Sequence, residues 1–455
     1  TFVVQLNWSE IEPSPGVFNF VPSDLEVRAA ISQGKRVGLL LRFQDGSIDS
    51  GSASNCGWNT SQILPGWVVK DLGPSGSFCS HGTGMIIPEY WNEKFIRLWM
   101  SFVDQVAAHF APEASDIATV LAPVGLSDEA TAITGPDSKP IKEDVRHLQN
   151  WGYSPPLWEA WQEDMLAYYQ DLFSSSSYSS TPPWVLYSVD QQDKCTGVAQ
   201  EPIPPFPPRT VNCTGKGVEV DVAEWAVDHG FGLAQNSLDP SWIWRDPDQS
   251  DPPPGDVNTI FDDALNVTPR PFIELQPFQA LSTWCNLAVA SGNPKCGSNP
   301  NAFVSVEEDV SYARSHGISA IDWYEADLVN PKLAPAIDLW RQLQATSGID
   351  KIPTVVTAIP AHTSVEAGTN LPVTITISAP GISGFIPGGL VNLSDDFTGR
   401  SLGSVQIPPN TGTATVDVRA PKTTSGHINL TASFANAYLW LSSMSSITRV
   451  VVHGK

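Results

Sequence analysis

Two glutamates sit where chemistry is most easily done, at the ends of apolar runs. Glu274 closes Arg270-Pro271-Phe272-Ile273-Glu274, and Glu129 closes Gly125-Leu126-Ser127-Asp128-Glu129. A carboxylate in an otherwise apolar strand is costly to bury without a task. Other apolar runs end in the same kind of residue. In chain order they offer Asn7, Trp8 and Glu10, then Arg42, Gln44 and Asp45, then Tyr187, Asp190 and Gln191. Gln235 and Asn236 follow, then Gln276, then Trp323, Tyr324, Glu325 and Asp327. Amides and carboxylates pair with hydroxyls, and flat aromatic faces stack on the apolar face of a sugar ring. Carbohydrate is the ligand this set fits, with no cofactor or metal called for.

These side chains need elements to hold them. The runs are Phe2–Trp8, Arg36–Phe43, Thr119–Leu126, Trp184–Asp190, Gly230–Ser237, Pro271–Gln276 and Ala320–Leu328. They are continuously apolar, as parallel strands covered on both faces are. Helical patterns lie between most of them. Ser23-Asp24-Leu25-Glu26 reads as a capping box. Phe95, Trp99, Phe102 and Val106 fall at helical spacing, as do Trp158, Trp161, Met165 and Leu172. A second capping box at Ser305 to Glu308 opens a helix ending at Gly317, and Pro335 to Leu343 reads as the last helix. Such alternation predicts a (β/α)8 TIM barrel or a doubly wound sheet. No Gly-rich phosphate turn follows the first strand, which disfavours the dinucleotide-binding fold. Seven strands are counted, so an eighth is expected to precede Thr1. The chain opens inside an apolar run without an initiator Met or a charged leader.

Composition divides the chain. Residues 1–351 hold 44 acidic and 20 basic residues, a net −24, while 352–455 carry a net +1. Fifteen of the 16 Trp and all 6 Cys also precede residue 352. Domains are therefore expected at 1–350, the barrel, and 351–455. The second part mixes polar and β-branched residues in short runs such as Val373–Ile377 and Ile428–Phe434, which predicts an all-β sandwich. Leu402-Gly403-Ser404, Gly412-Thr413-Ala414-Thr415 and Gly426-His427-Ile428-Asn429-Leu430-Thr431-Ala432 resemble bacterial-type immunoglobulin-like repeats.

The cysteines fall in neighbouring pairs, Cys56 and Cys79, Cys195 and Cys213, Cys285 and Cys296, each within one expected strand-to-helix loop. Three local disulfides are the simplest of the connectivities open to six cysteines. An even count favours an oxidising compartment, and no C-x-x-C zinc pattern occurs. Six N-x-S/T sequons occur. Asn59, Asn212, Asn266, Asn392 and Asn429 are the glycosylation candidates, with Asn7 placed instead in the barrel mouth. Both features suit a secreted or cell-surface protein.

Three stretches resemble glycoside hydrolase barrels of the beta-galactosidase-like clan. Trp8-Ser9-Glu10-Ile11-Glu12-Pro13-Ser14-Pro15-Gly16-Val17-Phe18-Asn19-Phe20 matches W-x-x-I-E-P-x-x-G-x-[FY]-[ND]-[FW]. The runs ending at Glu129 and Glu274 match the fourth and seventh strands. The resemblance implies that Glu129 is the general acid/base and Glu274 the nucleophile of a retaining mechanism. Trp8, Glu10, Arg42, Gln44, Tyr187, Asn236, Gln276, Trp323 and Tyr324 are the expected substrate contacts. Asp128 stands where such enzymes often carry Asn, and Pro123 interrupts the fourth strand.

Other functions are excluded or set beside this one. A net charge of −23 repels a phosphate backbone, so nucleic acid is not an expected partner. No apolar run is long enough for a membrane helix. Neither a G-x-S-x-G elbow nor H-E-x-x-H occurs. The alternative to a hydrolase is a degenerate barrel serving as a structural or glycan-binding subunit of an extracellular assembly, joined through the C-terminal domain.

Overall fold

The computed structural model describes residues 1–44, 63–80, 84–125, 130, 132, 142–175, 178, 181–189, 194–235, 261, 264, 266–276, 313, 317–323, 337–338, 353–380, 382, 386–387, 389–407, 411–422, 426–434 and 442–454. Two compact units emerge: Thr1–Phe278 with Gly317–Asp322, and Gln279–His316 with Trp323–Lys455.

The first unit begins β1 (Phe2–Asn7), α1 (Trp8–Ile11), α2 (Val21–Ser32) and β2 (Val37–Arg42). Next come α3 (Gly66–Leu72), the hairpin β3 (Ser77–Cys79) and β4 (Ile86–Pro88), and α4 (Glu93–Phe110). β5 (Ile117–Leu121), α5 (Lys142–Asn150), α6 (Pro155–Phe173) and β6 (Trp184–Ser188) follow. A second hairpin, β7 (Lys194–Glu201) and β8 (Arg209–Gly217), precedes α7 (Val218–Asp228), β9 (Gly232–Gln235), β10 (Ile273–Leu275) and β11 (Ala320–Ile321).

Seven strands form one sheet in the order β1-β2-β5-β6-β9-β10-β11, and every pair is parallel. All seven apolar runs read as strands take part. Neighbours in the sheet follow chain order without a reversal. A doubly wound fold reverses its order at a switch point, and this sheet has none.

Alternation gives the sheet two distinct faces. One packs on helices: Phe43 meets the rings of Phe95 and Trp99 of α4, and Trp8, just past β1, meets Phe95, Trp99 and Phe102. α4 presents these rings because Phe95, Trp99, Phe102 and Val106 share one helical face, and all are fully buried. Asn92 caps that helix by accepting from the backbone N–H of Lys94 and Phe95. The other face is lined low down by small residues. A Cβ on Gly38 would lie 2.8 Å from the Thr119 hydroxyl, and one on Gly232 would lie 2.5 Å from Leu186. Glycine lets those rows close up.

Two local expectations shift. The Ser23 capping box does not cap: α2 begins at Val21, Ser23 is buried inside it, and Pro22 occupies the opening turn. Proline preset for the first turn outweighs a serine one residue later. In α6 Phe173, rather than Leu172, completes the buried stripe. The capping box at Ser305 lies outside the described residues, as does most of the helix read from Pro335.

The second unit holds β12 (Val355–Pro360), β13 (Ser364–Glu366), β14 (Asn370–Ser378), β15 (Gly389–Asp395), β16 (Arg400–Ile407), β17 (Thr413–Arg419), β18 (Gly426–Phe434), β19 (Ser443–Met444) and β20 (Thr448–His453). They form a sheet β12-β14-β17 and a sheet β13-β20-β18-β15-β16, with β19 on β18. Pairing is antiparallel except between β13 and β20. Each sheet buries one face: Leu371, Val373, Ile375 and Ile377 in the first, Val391, Leu393, Ile428, Leu430 and Val450 in the second. Buried Asp395 pins a turn of the larger sheet, accepting from the Asn429 backbone and the Thr398 hydroxyl.

Candidate functional site

The C-terminal strand ends of the parallel sheet gather polar side chains on the face turned away from α4. Asn7 is in register with Arg42, and Arg42 donates to Gln5 at 3.2 Å. Across the sheet Ser188 is in register with Ala234, Ala234 with Glu274, and Glu274 with Ala320. One position further along, Gln276 donates to Asp322 at 3.2 Å.

Glu274 is the central feature. Its neighbours in register on both sides are alanines, which offer no polar partner. The residue is 9% exposed, and its Oε2 makes no hydrogen bond among the described residues. Burial pushes its carboxyl up to about 8; the negative charge of Asp322 adds to the rise, and the amino group of Thr1 opposes it. A buried carboxyl in this setting keeps its proton near neutral pH.

Other strand-end polar atoms are similarly placed. Asn7 Oδ1, Gln44 Nε2 and Ser188 Oγ are buried and make no hydrogen bond among the described residues. They comprise an amide oxygen, an amide N–H and a hydroxyl. Buried polar groups in folded proteins are nearly always bonded, so each of these atoms is open to a hydrogen bond from a ligand.

The remaining expected contacts separate. Trp8 is fully buried among the α4 rings and donates from Nε1 to Glu12 at 2.8 Å. Tyr187 is fully buried on the helix side and donates its hydroxyl to Gln162 of α6 at 2.9 Å. Both hold the sheet to its helices. Glu10 is exposed on α1. Trp323 is half-buried and belongs to the second unit. Glu129, Asn236 and Tyr324 lie outside the described residues.

Sequence reading missed Asp322, Gln5 and Ser188. The signal for Asp322 was present: Ala320-Ile321-Asp322 alternates, which puts Asp322 on the face of Ala320. It also missed a buried acidic group on α6 and α7. Arg209 of β8 bonds Glu163 at 2.6 Å and Asp164 at 2.8 Å, and lies over the ring of Trp225. Asp221 accepts from the backbone and hydroxyl of Thr214. Glu159, 4% exposed, is pushed up to about 8, first by burial and then by Asp221 and Glu163, with Arg209 opposing. Its carboxylate lies within 4.8 Å of the sulfurs of Cys195 and Cys213. Those sulfurs are bonded to each other, so they are not a thiolate pair for a metal.

The Cys195–Cys213 disulfide ties β7 to β8, with Cα atoms 5.0 Å apart. Cys79 is also disulfide-bonded. Cys56, Cys285 and Cys296 lie outside the described residues. Among the sequons, Asn212, Asn266 and Asn392 are exposed, Asn429 and Asn7 are half-buried, and Asn59 lies outside the described residues. The Thr431 of the Asn429 sequon is buried. No helix among the described residues is long and apolar enough to cross a membrane.

No family model matches the chain, and no curated protein matches it. Among solved structures it is similar to the catalytic domain of beta-amylase from Paenibacillus polymyxa, at 9% identity and a TM-score of 0.47, covering 76% of this chain and 91% of that one. It is also similar to beta-galactosidase from the psychrophilic Marinomonas ef1, at 12% identity and a TM-score of 0.39, covering 71% of this chain and 49% of that one. A b-glucosidase from Erythrobacter marinus matches at 9% identity and a TM-score of 0.19, covering 66% and 37%.

Proposed function

We propose that this chain is a secreted glycoside hydrolase whose 1–350 domain is a (β/α)8 barrel and whose 351–455 domain is an immunoglobulin-like sandwich. One observation carries the reading: Glu274, a buried carboxyl with an unbonded oxygen, stands at the C-terminal end of a parallel strand among other unbonded polar atoms. In barrels built of parallel strands that end is where catalysis occurs. The singly wound strand order supports the barrel. The strand orders β12-β14-β17 and β20-β18-β15-β16 support the immunoglobulin-like reading, in which they would stand as A-B-E and G-F-C-C′. The second sheet also carries β13, paired parallel to β20.

The working carboxyls are Glu129 and Glu274, acting with retention. The resemblance casts Glu274 as the nucleophile, but its burial favours the proton-bearing role. An acid that titrates near 8 is protonated when the substrate arrives, and the partner carboxylate then attacks. Arg42, Gln44, Gln276 and Asn236 contact the sugar hydroxyls; Trp8 and Tyr187 serve them from behind as packing. The disulfides and the sequons at Asn59, Asn212, Asn266, Asn392 and Asn429 belong with export.

The test is a screen of polysaccharides and oligosaccharides for turnover, with Glu274→Gln and Glu129→Gln as controls. Each variant is expected to lose at least about 100-fold in kcat while keeping its melting temperature. Glycan binding without turnover by the unaltered chain would instead support a non-catalytic subunit of an extracellular assembly. Full activity in either variant would remove that residue from the reaction.

A further inference from the structure

Asp322 plays no part in the resemblance, yet it stands in the same site. Ala320 is in register with Glu274 on the neighbouring strand, and Asp322 is two residues further on, hence on the same face. Its backbone N–H donates to the carbonyl of Leu275, which fixes the strand end beside β10. Its carboxylate accepts from Gln276 Nε2, a side chain of that same end of β10. Two carboxyls therefore stand on adjacent strands of one face, the first with alanine neighbours and an unbonded oxygen, the second held by an amide.

We propose that Asp322, held by Gln276, is the positioning residue for Glu274, and that its charge on the neighbouring strand keeps the proton on Glu274. This rests on the reading that Glu274 is a working carboxyl of the site. The amide hydrogen bond favours the charged form of Asp322, because an N–H donor stabilises a carboxylate. A fixed negative charge next door then disfavours a second ionisation, as in carboxylate pairs generally. Among the described residues, the charged groups that act on Glu274 are Asp322 from β11 and the amino group of Thr1, which works in the opposite sense. Glu274 is buried, which limits screening by water on its side of the pair. In the reaction Glu274 gives its proton to the leaving oxygen as the glycosidic bond breaks. The Asp322 charge remains to oppose the positive charge that develops on the ring.

The experiment is infrared titration of the protonated carboxyl band in the intact chain. Glu274→Gln assigns the band by removing it. Asp322→Asn and Asp322→Ser are expected to move the Glu274 midpoint down by about one pH unit or more, a tenfold loss of proton affinity. Asp322→Glu, which restores the charge, is expected to keep the midpoint close to that of the unaltered chain. The two neutral variants guard against a failure of one to fold, checked by melting. An unmoved midpoint in the folded neutral variants, or an equal fall in Asp322→Glu, overturns the pairing. The band is read without any substrate. If no glycan is turned over but the midpoint moves, the pairing stands and the hydrolase reading falls. If turnover is found and the midpoint does not move, the reverse holds.

Discussion

At the scale of single residues, the chemistry of this chain concentrates on Glu274. Leaving a carboxyl oxygen buried and unbonded costs folding energy, of the order of 1–3 kcal/mol even before charge is counted. Gln matches the neutral form of that carboxyl in shape and polarity, so Glu274→Gln is expected to fold about as well as the unaltered chain while losing turnover, a combination that melting and kinetics together detect. Its raised pKa also predicts a pH profile. If Glu274 must be protonated in the free enzyme, kcat/KM should fall as pH rises through about 8. A profile that instead climbs to a plateau at about 8 would assign it the nucleophile's role. The sequence made Glu274 legible because a lone carboxylate in an apolar strand is conspicuous. Asp322 was harder to single out: alternation puts it on the face of Ala320, but it sits beside Trp323 in a run already rich in polar groups, and the register with β10 is what sets that face beside Glu274.

At the scale of elements, the aromatic stripes of α4 and α6 were readable as core, and core is what they form. Trp8 read as a sugar contact because it ends a strand. The structure turns it the other way, since one residue along a strand decides which face a side chain takes. Trp8→Ala is expected to destabilise the first unit by about 3–5 kcal/mol, the usual cost of emptying a buried aromatic site, measured by denaturant unfolding. Asn92→Ala removes the side-chain acceptor at the start of α4 and should cost about 1 kcal/mol in the same measurement. The β7–β8 hairpin depends on its disulfide, on Arg209 and on the carboxylates of α6. Replacing Cys195 and Cys213 together by Ser should lower stability by about 2–3 kcal/mol, given the 18-residue separation they close.

At the scale of the whole molecule, the acidic excess of residues 1–351 has buried members. Glu159 and Glu274 both titrate in the folded chain near 8, far above the ordinary glutamate value of 4.5. A carboxyl whose folded pKa is raised supports folding fully below its unfolded pKa, and that support is lost as pH rises through the folded value. Stability is expected to decline between about pH 4.5 and 8. Glu159→Gln should flatten part of that decline, gaining roughly 1–2 kcal/mol at pH 8 over the unaltered chain. The gain is set below the full shift because part of the group's surroundings is solvated. Melting curves from pH 4 to 9 check it; an unchanged slope in the variant would assign the decline elsewhere.

The sequence by itself determined the strands. Seven apolar runs became seven parallel strands in chain order, because burial on both faces leaves a continuous apolar trace, and runs this short between helical patterns read as strands. It also determined the change of composition near residue 351, and it offered Cys195 and Cys213 as neighbours in one loop, a pairing the structure then shows. Only the tertiary structure decided which polar residues meet. Glu274 beside Ala234, Ala320 and Asp322, or Arg209 between Glu163 and Asp164, depends on register and on packing between elements some 45 residues apart in the chain. Those contacts are set by the sum of many apolar contacts elsewhere, and no local pattern records them.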